Sequence, residues 1–230
     1  MAIGAVLFDI DGTLVDSNYL HVEAWSRAFF EVGRPVDAWR VHRSIGMDGD
    51  QLLESLLGED IDGCGPRAKE LHTTYYRQSA DRLRVLPGAR ELIRRVHSLG
   101  LHVVLATSAP DDELKLLRRT LDIDEMIYAA TSSESVDEAK PDPDLIEVAL
   151  AKAGVDAGDA VMVGDAVWDM KAATWAGVVA VGVRSGGMST DELEGAGAAA
   201  VYDDARDLLD HLDGSVISEL VSGLDTGVDQ

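Results

Sequence analysis

Two aspartates stand two positions apart directly after a short apolar run near the start of the chain. Residues 5–8 are typical of a buried strand, and they lead into Asp9-Ile10-Asp11-Gly12-Thr13. Two carboxylates at the end of a buried strand repel each other and lose hydration, so they need a positive group between them. Mg²⁺ meets that need, because it binds oxygen ligands and takes one or two carboxylates together with a substrate phosphate. The stretch predicts a chemical site rather than an ordinary polar turn.

Three further polar groups belong to the same predicted sheet. They are Thr107 with Ser108 after residues 103–106, Lys140 before Pro141, and Gly164-Asp165 with Asp169 after residues 161–163. Each is a weak signal alone, because hydroxyls, lysines and Gly-Asp pairs are common in caps, turns and solvated loops. In an open α/β sheet, however, ligands bind outside the carboxyl ends of the strands. We therefore expect these groups to share one rim with the two aspartates.

Phosphoryl transfer fits this set of groups. Its catalysis is mainly positioning and the neutralisation of charge on the transferring oxygens, which a metal, a hydroxyl donor and a fixed ammonium can supply. A carboxylate can also take up the phosphoryl group covalently. Asp9, at the strand end, is the predicted nucleophile. Asp11, on the turn, is predicted to protonate the leaving alkoxide and then to activate water.

The elements that must position these groups alternate between helix and strand. The patterns predict strands at 101–106, 126–130, 161–163 and 178–183, with helices at 89–98, 111–120, 143–153 and 169–175. Strands joined by crossover helices build a parallel sheet covered on both faces. The predicted fold class is therefore α/β, with a doubly wound parallel sheet. The tail after Gly214 is weakly patterned, and we expect it to fray.

A helical insertion interrupts this alternation. Helix-compatible patterns cover residues 18–31, 36–44, 48–57 and 66–83, with breaks at 45–47 and 58–65 and no predicted strand. Trp25 and Trp39 are expected in the core of this segment. We predict a core domain made of residues 1–16 and 84–230, with an α-helical domain over residues 17–83.

Composition narrows the choice of partners. The chain has 230 residues, of which 46% are apolar, enough to bury a core. Its 42 acidic and 20 basic residues give a net charge of −22, which disfavours nucleic acid and anionic membrane as partners.

Cys64 is the single cysteine, which excludes an intrachain disulfide and a cysteine zinc cluster. With no leader pattern and no long apolar run, we expect a soluble cytoplasmic protein, and its oligomeric state stays open.

The order of the motifs resembles the haloacid dehalogenase superfamily, in the subgroup that includes phosphoglycolate phosphatases and β-phosphoglucomutase. The resemblance covers nearly the whole chain and rests on Asp9-Ile10-Asp11-Gly12-Thr13-Leu14, Thr107, Lys140-Pro141, Gly164-Asp165 with Asp169, Ile45-Gly46-Met47, Leu86-Pro87-Gly88-Ala89 and residues 172–177. It implies a Rossmann-like core and a small helical cap, over residues 17–83, that closes over the site. Dehalogenases of this superfamily lack the second aspartate, so the presence of Asp11 favours a phosphatase.

The resemblance also implies a role for each metal-site residue. It implies a phosphoaspartyl intermediate on Asp9 and acid/base work by Asp11. The Mg²⁺ ligands would be Asp9, the backbone carbonyl of Asp11, and Asp165. Asp169 would not bind the metal itself but would orient waters or Lys140.

The phosphate would be held by other residues of the same rim. Thr107 would hydrogen-bond the phosphoryl oxygens, with the amide of Ser108 close by. Lys140 would neutralise the nucleophile and the phosphate. Gly12 and Thr13, on the turn after the first strand, are also expected to bind the phosphate.

A phosphosugar mutase is the main alternative. Residues 19–25 resemble the first cap helix of β-phosphoglucomutase, where a histidine at the place of His21 aids substrate protonation or gating, although a surface histidine near a hinge would look the same. Two departures favour hydrolysis: Gly164 stands where the mutase has a glutamate beside the metal aspartate, and Gly49 stands where it has a phosphate-binding arginine. Arg43 could replace that arginine.

Substrate choice is expected to lie in the cap. The candidates are His21, Arg43, Met47, residues 45–46, Arg40, His42 and Lys69. The sequence thus predicts a Mg²⁺-dependent hydrolase acting on a small phosphorylated metabolite. Besides the mutase, a non-catalytic binding protein with the same fold is a second alternative, disfavoured because all the expected functional groups are present.

Overall fold

A six-stranded parallel sheet forms the centre of the computed structural model, which describes residues 3–133, 140 and 142–226. Its strands are β1 (Ala5–Phe8), β4 (His102–Ala106), β5 (Ile127–Thr131), β6 (Ala160–Gly164), β7 (Val179–Val183) and β8 (Ala198–Tyr202). Their order across the sheet is β5-β4-β1-β6-β7-β8. The predicted α/β fold class is confirmed.

The register of β1 brings the ends of three strands together. Phe8 lies opposite Leu105 of β4 on one side and Val163 of β6 on the other. Since all three strands run in the same direction, the next residues of each chain segment emerge at one edge. Asp9, Thr107 and Asp165 therefore leave the sheet side by side.

Alternating side chains of β1 explain why both faces of the sheet are buried. Val6 and Phe8 point to one face and Ala5 and Leu7 to the other, as the period of a strand requires. The first face packs against helices α5 (Ala89–Ser98), α6 (Asp111–Leu121), α10 (Ala205–Asp210) and α11 (Val216–Thr226). The second packs against α7 (Asp144–Ala153), α8 (Val167–Trp175) and α9 (Thr190–Gly195).

The inserted segment is helical and has a hydrophobic cluster of its own. Its helices are α1 (Asn18–Glu31), α2 (Ala38–Ser44), α3 (Gly49–Leu57) and α4 (Ile61–Gln78). Trp25, Phe29, Val41, Leu53 and Leu71 are buried in that cluster. A short antiparallel pair, β2 (Val15–Asp16) with β3 (Arg84–Val85), joins the two ends of the segment. No helix among the described residues combines the length and apolar character needed to cross a membrane.

Two predictions for the inserted segment are wrong. Residues 58–65 are not a break, because a 3₁₀ turn covers Gly58–Asp60 and α4 begins at Ile61, five residues before Pro66. Packing of Ile61 against the cluster offsets the poor helix propensity of this stretch. Trp39 is 67% exposed rather than in the core, because α2 buries only Val41 and Ser44. Trp25 is buried, as predicted.

The carboxyl-terminal tail is also more ordered than predicted. Instead of fraying after Gly214, the chain forms α11 (Val216–Thr226), in which Ile217 is fully buried. Leu220, Val221 and Leu224 pack against the same cluster as Val6 and Phe8. The tail therefore covers one face of the sheet.

Candidate active site

A buried ammonium lies at the edge where the strands end. The Nζ of Lys140 is 2.7 Å from Oδ1 of Asp9 and 2.6 Å from Oδ1 of Asp169, and it donates a 2.8 Å hydrogen bond to the backbone oxygen of Ala106. Burial acts to lower the pKa of Lys140, but Asp169 and Asp9 raise it above its ordinary value. Lys140 therefore stays charged between the two carboxylates.

Three buried carboxylates form a cluster around this ammonium. Asp9, Asp165 and Asp169 each offer an oxygen atom, and these atoms lie within 4.8 Å of one another. Burial raises the pKa of Asp9 well above its ordinary value against the opposing charge of Lys140. Burial and the charge of Asp169 raise the pKa of Asp165 to about 7.

The cluster fits a divalent metal. Burial, together with repulsion between the carboxylates, disfavours their charged forms, and a bound cation would offset both effects. Carboxylate oxygens are also the ligands that Mg²⁺ prefers. The residues present are therefore suited to a hard cation.

Asp11 lines the same cavity as Asp9 but has hydrogen-bond partners of its own. Its Oδ1 accepts a hydrogen bond of 2.5 Å from Ser17 Oγ and lies 3.4 Å from Nε2 of His21. Burial acts to raise the pKa of Asp11, but the hydrogen bond and charge of His21, together with Ser17, bring it below its ordinary value. The two aspartates of the first motif thus have different environments, which raise the pKa of Asp9 and lower the pKa of Asp11.

Asp165 is held by groups from several loops. It accepts hydrogen bonds from Thr13 Oγ1 at 3.0 Å and from Asn18 Nδ2 at 2.8 Å. A side chain on Gly186 would place its Cβ 1.6 Å from Oδ2 of Asp165. Gly12, at φ +75°, would place a Cβ 2.4 Å from the same oxygen. Only glycine fits at these two positions, because the backbone itself packs against the carboxylate.

Asn18 and Gly186 were not identified from the sequence. Asn18 carries a weak signal, an amide just after the aspartate motif at the start of a helix. Gly186 carries none, because a glycine in a polar turn is common for reasons of conformation alone.

Thr107 and Ser108 continue the rim after β4. The hydroxyl of Thr107 is buried and accepts a hydrogen bond from the amide of Ala109 at 3.1 Å. Ser108 Oγ donates to the backbone oxygen of Gly46, in the inserted segment, at 3.3 Å. The two residues therefore stand between the carboxylates and the inserted helices.

A cavity of about 320 Å³ opens above Asp9. Residues that follow the strands β1 and β4 form its floor, among them Asp9, Asp11, Thr107 and Ser108, together with Glu113 of α6. Residues of the inserted segment form its walls, among them His21, Trp25, Met47, Gly49, Leu52, Lys69 and His72. The cavity is thus a joint product of the two parts of the chain.

Some candidate substrate-binding residues lie outside this cavity. Arg43 pairs with Glu192 at 2.6 Å and does not line the cavity. His42 contacts the backbone oxygen of Gly186 at 2.8 Å, and Arg40 is exposed. The indole of Trp168 donates to the backbone oxygen of Arg43 at 3.1 Å. These side chains connect the inserted segment to the core or face solvent. Pro141, part of the third motif, lies outside the described residues.

Two known proteins with similar sequences are phosphatases. The chain is 30% identical over 218 residues to a phosphoglycolate phosphatase of Rhodospirillum rubrum, covering 90% of both chains. It is 30% identical over 176 residues to a phosphorylated carbohydrates phosphatase of Thermotoga maritima, covering 76% of this chain and 82% of that protein.

Solved structures show the same fold. A hydrolase from Pseudomonas syringae superposes with a TM-score of 0.87 at 38% identity, covering 92% of this chain and 98% of that chain. A β-phosphoglucomutase from Clostridium difficile superposes with a TM-score of 0.81 at 21% identity, covering 97% and 99%, and shows the fold alone. A family model for haloacid dehalogenase-like hydrolases matches residues 3–177. Since this match covers the strand ends that carry the buried carboxylates and also the inserted helices, the chain belongs to the haloacid dehalogenase-like hydrolase family, and the phosphatase relatives indicate a phosphoric monoester hydrolase.

Proposed function

We propose that this protein is a Mg²⁺-dependent phosphatase that hydrolyses a small phosphomonoester, of the phosphoglycolate or sugar-phosphate type, through a phosphoaspartyl intermediate on Asp9. The observation that carries the proposal is the buried ammonium of Lys140, fixed between Asp169 and Asp9, the residue of the three that lines the cavity. A charged group held there lies where a phosphoryl group would meet Asp9.

In the first step, an oxygen of Asp9 forms a bond to phosphorus while the ester P–O bond breaks. The leaving alkoxide takes a proton from Asp11. His21 supports this role, because its contact with Asp11 raises its own pKa in spite of burial, so the two side chains retain a proton between them.

In the second step, Asp11 removes a proton from a water molecule that attacks phosphorus. The bond from phosphorus to Asp9 breaks, and inorganic phosphate leaves. Lys140 and the hydroxyl of Thr107 orient the phosphoryl oxygens in both steps. Ser108, Gly12 and Thr13 lie beside them and complete the phosphate-binding site.

Asp9, Asp165 and the backbone carbonyl of Asp11 would hold the Mg²⁺, with Asp169 supporting Lys140 from behind. When bound, the metal neutralises charge on the phosphate and on the carboxylate cluster. This assignment is supported by the carboxylate oxygens of Asp9, Asp165 and Asp169, which lie within 4.8 Å of one another, and by the pKa values of Asp9 and Asp165, which burial raises.

Residues 17–83 act as a cap that excludes water and selects the leaving group. A cavity of about 320 Å³ is near the lower end of the range for ligand pockets, which favours a small metabolite over a polymer. The names of the two phosphatase relatives support the same substrate class. A cytoplasmic location and the exclusion of nucleic acid remain predictions from the composition.

The mutase alternative needs a second phosphate site in the cap. Arg43 is paired with Glu192 away from the cavity, and Lys69, which lines the cavity, is paired with Asp50 at 2.7 Å. Gly164 also packs so closely that a Cβ there would lie 2.5 Å from Cγ of Asp169. Both observations favour hydrolysis.

A panel of phosphomonoesters tests the proposal. Phosphoglycolate, hexose 1- and 6-phosphates, glycerol phosphate and nucleotides would be incubated with the protein in Mg²⁺ and in EDTA. We expect Mg²⁺-dependent release of inorganic phosphate from at least one of them. Conversion of β-glucose 1-phosphate to the 6-phosphate without release of phosphate would contradict hydrolysis and support the mutase.

A further inference from the structure

Two buried histidines stand in a row behind Asp11. Nε2 of His21 lies 3.4 Å from Oδ1 of Asp11, and Nδ1 of His21 lies 3.0 Å from Nε2 of His72. His21 is 8% exposed and His72 is 6% exposed, and both line the cavity. The proposed mechanism uses Asp11 and His21 but gives no role to His72.

Stacking fixes both rings. His72 stacks on the indole of Trp25 with 4.1 Å between ring centroids, and His21 stacks on Tyr76 with 3.9 Å between centroids. Tyr76 and His72 both belong to α4, while His21 and Trp25 belong to α1. The stacking therefore restricts rotation of both imidazoles and keeps Nδ1 of His21 next to Nε2 of His72.

The contact with Asp11 defines where His21 must carry a proton. A carboxylate only accepts hydrogen bonds, so His21 can bond to it only with a proton on Nε2. Its Nδ1 is then either bare or protonated. A bare Nδ1 needs a donor, and a protonated Nδ1 needs an acceptor.

His72 can meet either need. Burial, with the charges of His21 and Lys69, lowers the pKa of His72 well below its ordinary value and keeps this imidazole neutral. A neutral imidazole has one donor and one acceptor nitrogen, and the tautomer decides which of them is Nε2. His72 can thus donate to a neutral His21 or accept from a protonated one.

We propose that His72 is a positioning residue, which holds the imidazole of His21 in the tautomer and orientation that donate from Nε2 to Asp11. The role rests on the proposed function, in which Asp11 performs the acid/base work. His72 acts through His21 and does not touch the reacting atoms.

Two variants separate this role from simple packing. His72→Phe keeps an aromatic ring against Trp25 but removes the donor and the acceptor. His72→Gln loses the ring but places an amide, which can donate or accept, near the position of Nε2. Thermal unfolding of both variants checks that they fold.

We expect kcat of H72F to fall by about 10- to 100-fold, the range found for groups that orient a metal-bound histidine. KM should change little, and H72Q should recover most of kcat. Nitrogen NMR shifts of His21 should show a proton fixed on Nε2 in the wild type and in H72Q, and a mixture of tautomers in H72F.

Three results would overturn the inference. They are a wild-type kcat in H72F, an unchanged His21 tautomer in H72F, or a raised KM at constant kcat, which would make His72 a substrate contact. The NMR measurement needs no turnover, so it tests the inference even if the wild-type protein releases no phosphate. A wild-type protein that releases no phosphate would contradict the proposed function, not the role of His72.

Discussion

The Nζ of Lys140 lies 2.7 Å from Oδ1 of Asp9, although the two residues are 131 positions apart in the chain. Both side chains are buried, and Asp169 approaches the same ammonium from the other side at 2.6 Å. Three distant segments thus meet at one charged group. Asp9 also lines the cavity, so this buried ion pair lies directly at the candidate site.

Replacing Lys140 by Met should therefore destabilise the metal-free protein. The substitution keeps a long side chain but leaves Asp9 and Asp169 without a cation, and removing one partner of a buried ion pair costs about 3–5 kcal/mol. Urea denaturation of the wild type and K140M measures the difference. In an Asp169→Asn background the same substitution should cost less, since one carboxylate is already neutral. Equal losses in both backgrounds would argue against the Lys140–Asp169 contact.

Gly186→Ala should damage the metal site with little effect elsewhere. The added Cβ would lie 1.6 Å from Oδ2 of Asp165, so either the carboxylate or the loop must move. We expect weaker Mg²⁺ binding in calorimetric titration and lower activity. Gly63→Ala is the matched control, because nothing lies within 4 Å of its Cβ position and alanine favours a helix by up to about 1 kcal/mol. Wild-type Mg²⁺ affinity in G186A would contradict the packing of this loop on Asp165.

Asp165 should make the metal-free protein less stable as the pH rises. Its pKa is about 7 in the folded chain, against about 3.9 in an unfolded one. The folded state therefore binds the extra proton more tightly, and this contribution is lost as the pH rises from about 4 towards 7.

Thermal unfolding of the wild type and Asp165→Asn across that pH range isolates the effect. The wild type should lose stability relative to D165N as the pH rises, and Mg²⁺ at neutral pH should restore more stability to the wild type than to D165N. Parallel pH profiles, with the same response to Mg²⁺, would remove Asp165 from the metal site.

Arg43→Ala should leave substrate affinity unchanged. Its guanidinium is paired with Glu192 at 2.6 Å outside the cavity, and both side chains are partly exposed. An exposed ion pair of this kind contributes at most about 1 kcal/mol to stability. We expect KM of R43A to match that of the wild type for the best phosphomonoester. A large rise in KM would restore Arg43 as the cation that grips the substrate, as the sequence alone suggested.

The sequence predicted the features that follow from local patterns, such as a buried strand and the polar residues at its end. The apolar run before Asp9 predicts a buried strand, and the buried strand predicts that a pair of aspartates at its end needs a cation. The rim position of Thr107, Lys140 and Asp165 followed from the rule that parallel strands end together. The structure brings these groups to that rim, and their roles in catalysis stay proposals.

Features that depend on tertiary packing were missed. β8 (Ala198–Tyr202) begins with three alanines, which have low strand propensity, and it forms because β7 offers a free edge. α4 begins five residues before Pro66 because Ile61 finds a hydrophobic cluster. The contact of His72 with His21 could not be predicted from the sequence, because the two residues are 51 positions apart. Local patterns carry no information about such pairings.

The central claim is that Asp9 becomes phosphorylated during turnover. Its most direct test is mass spectrometry of protein quenched in acid while it hydrolyses its best phosphomonoester in Mg²⁺, with Asp9→Asn as the control. We predict a phosphoryl group on the peptide that contains Asp9, together with a folded but inactive D9N variant. Full activity in folded D9N, or a phosphoryl group on another residue, would contradict the account.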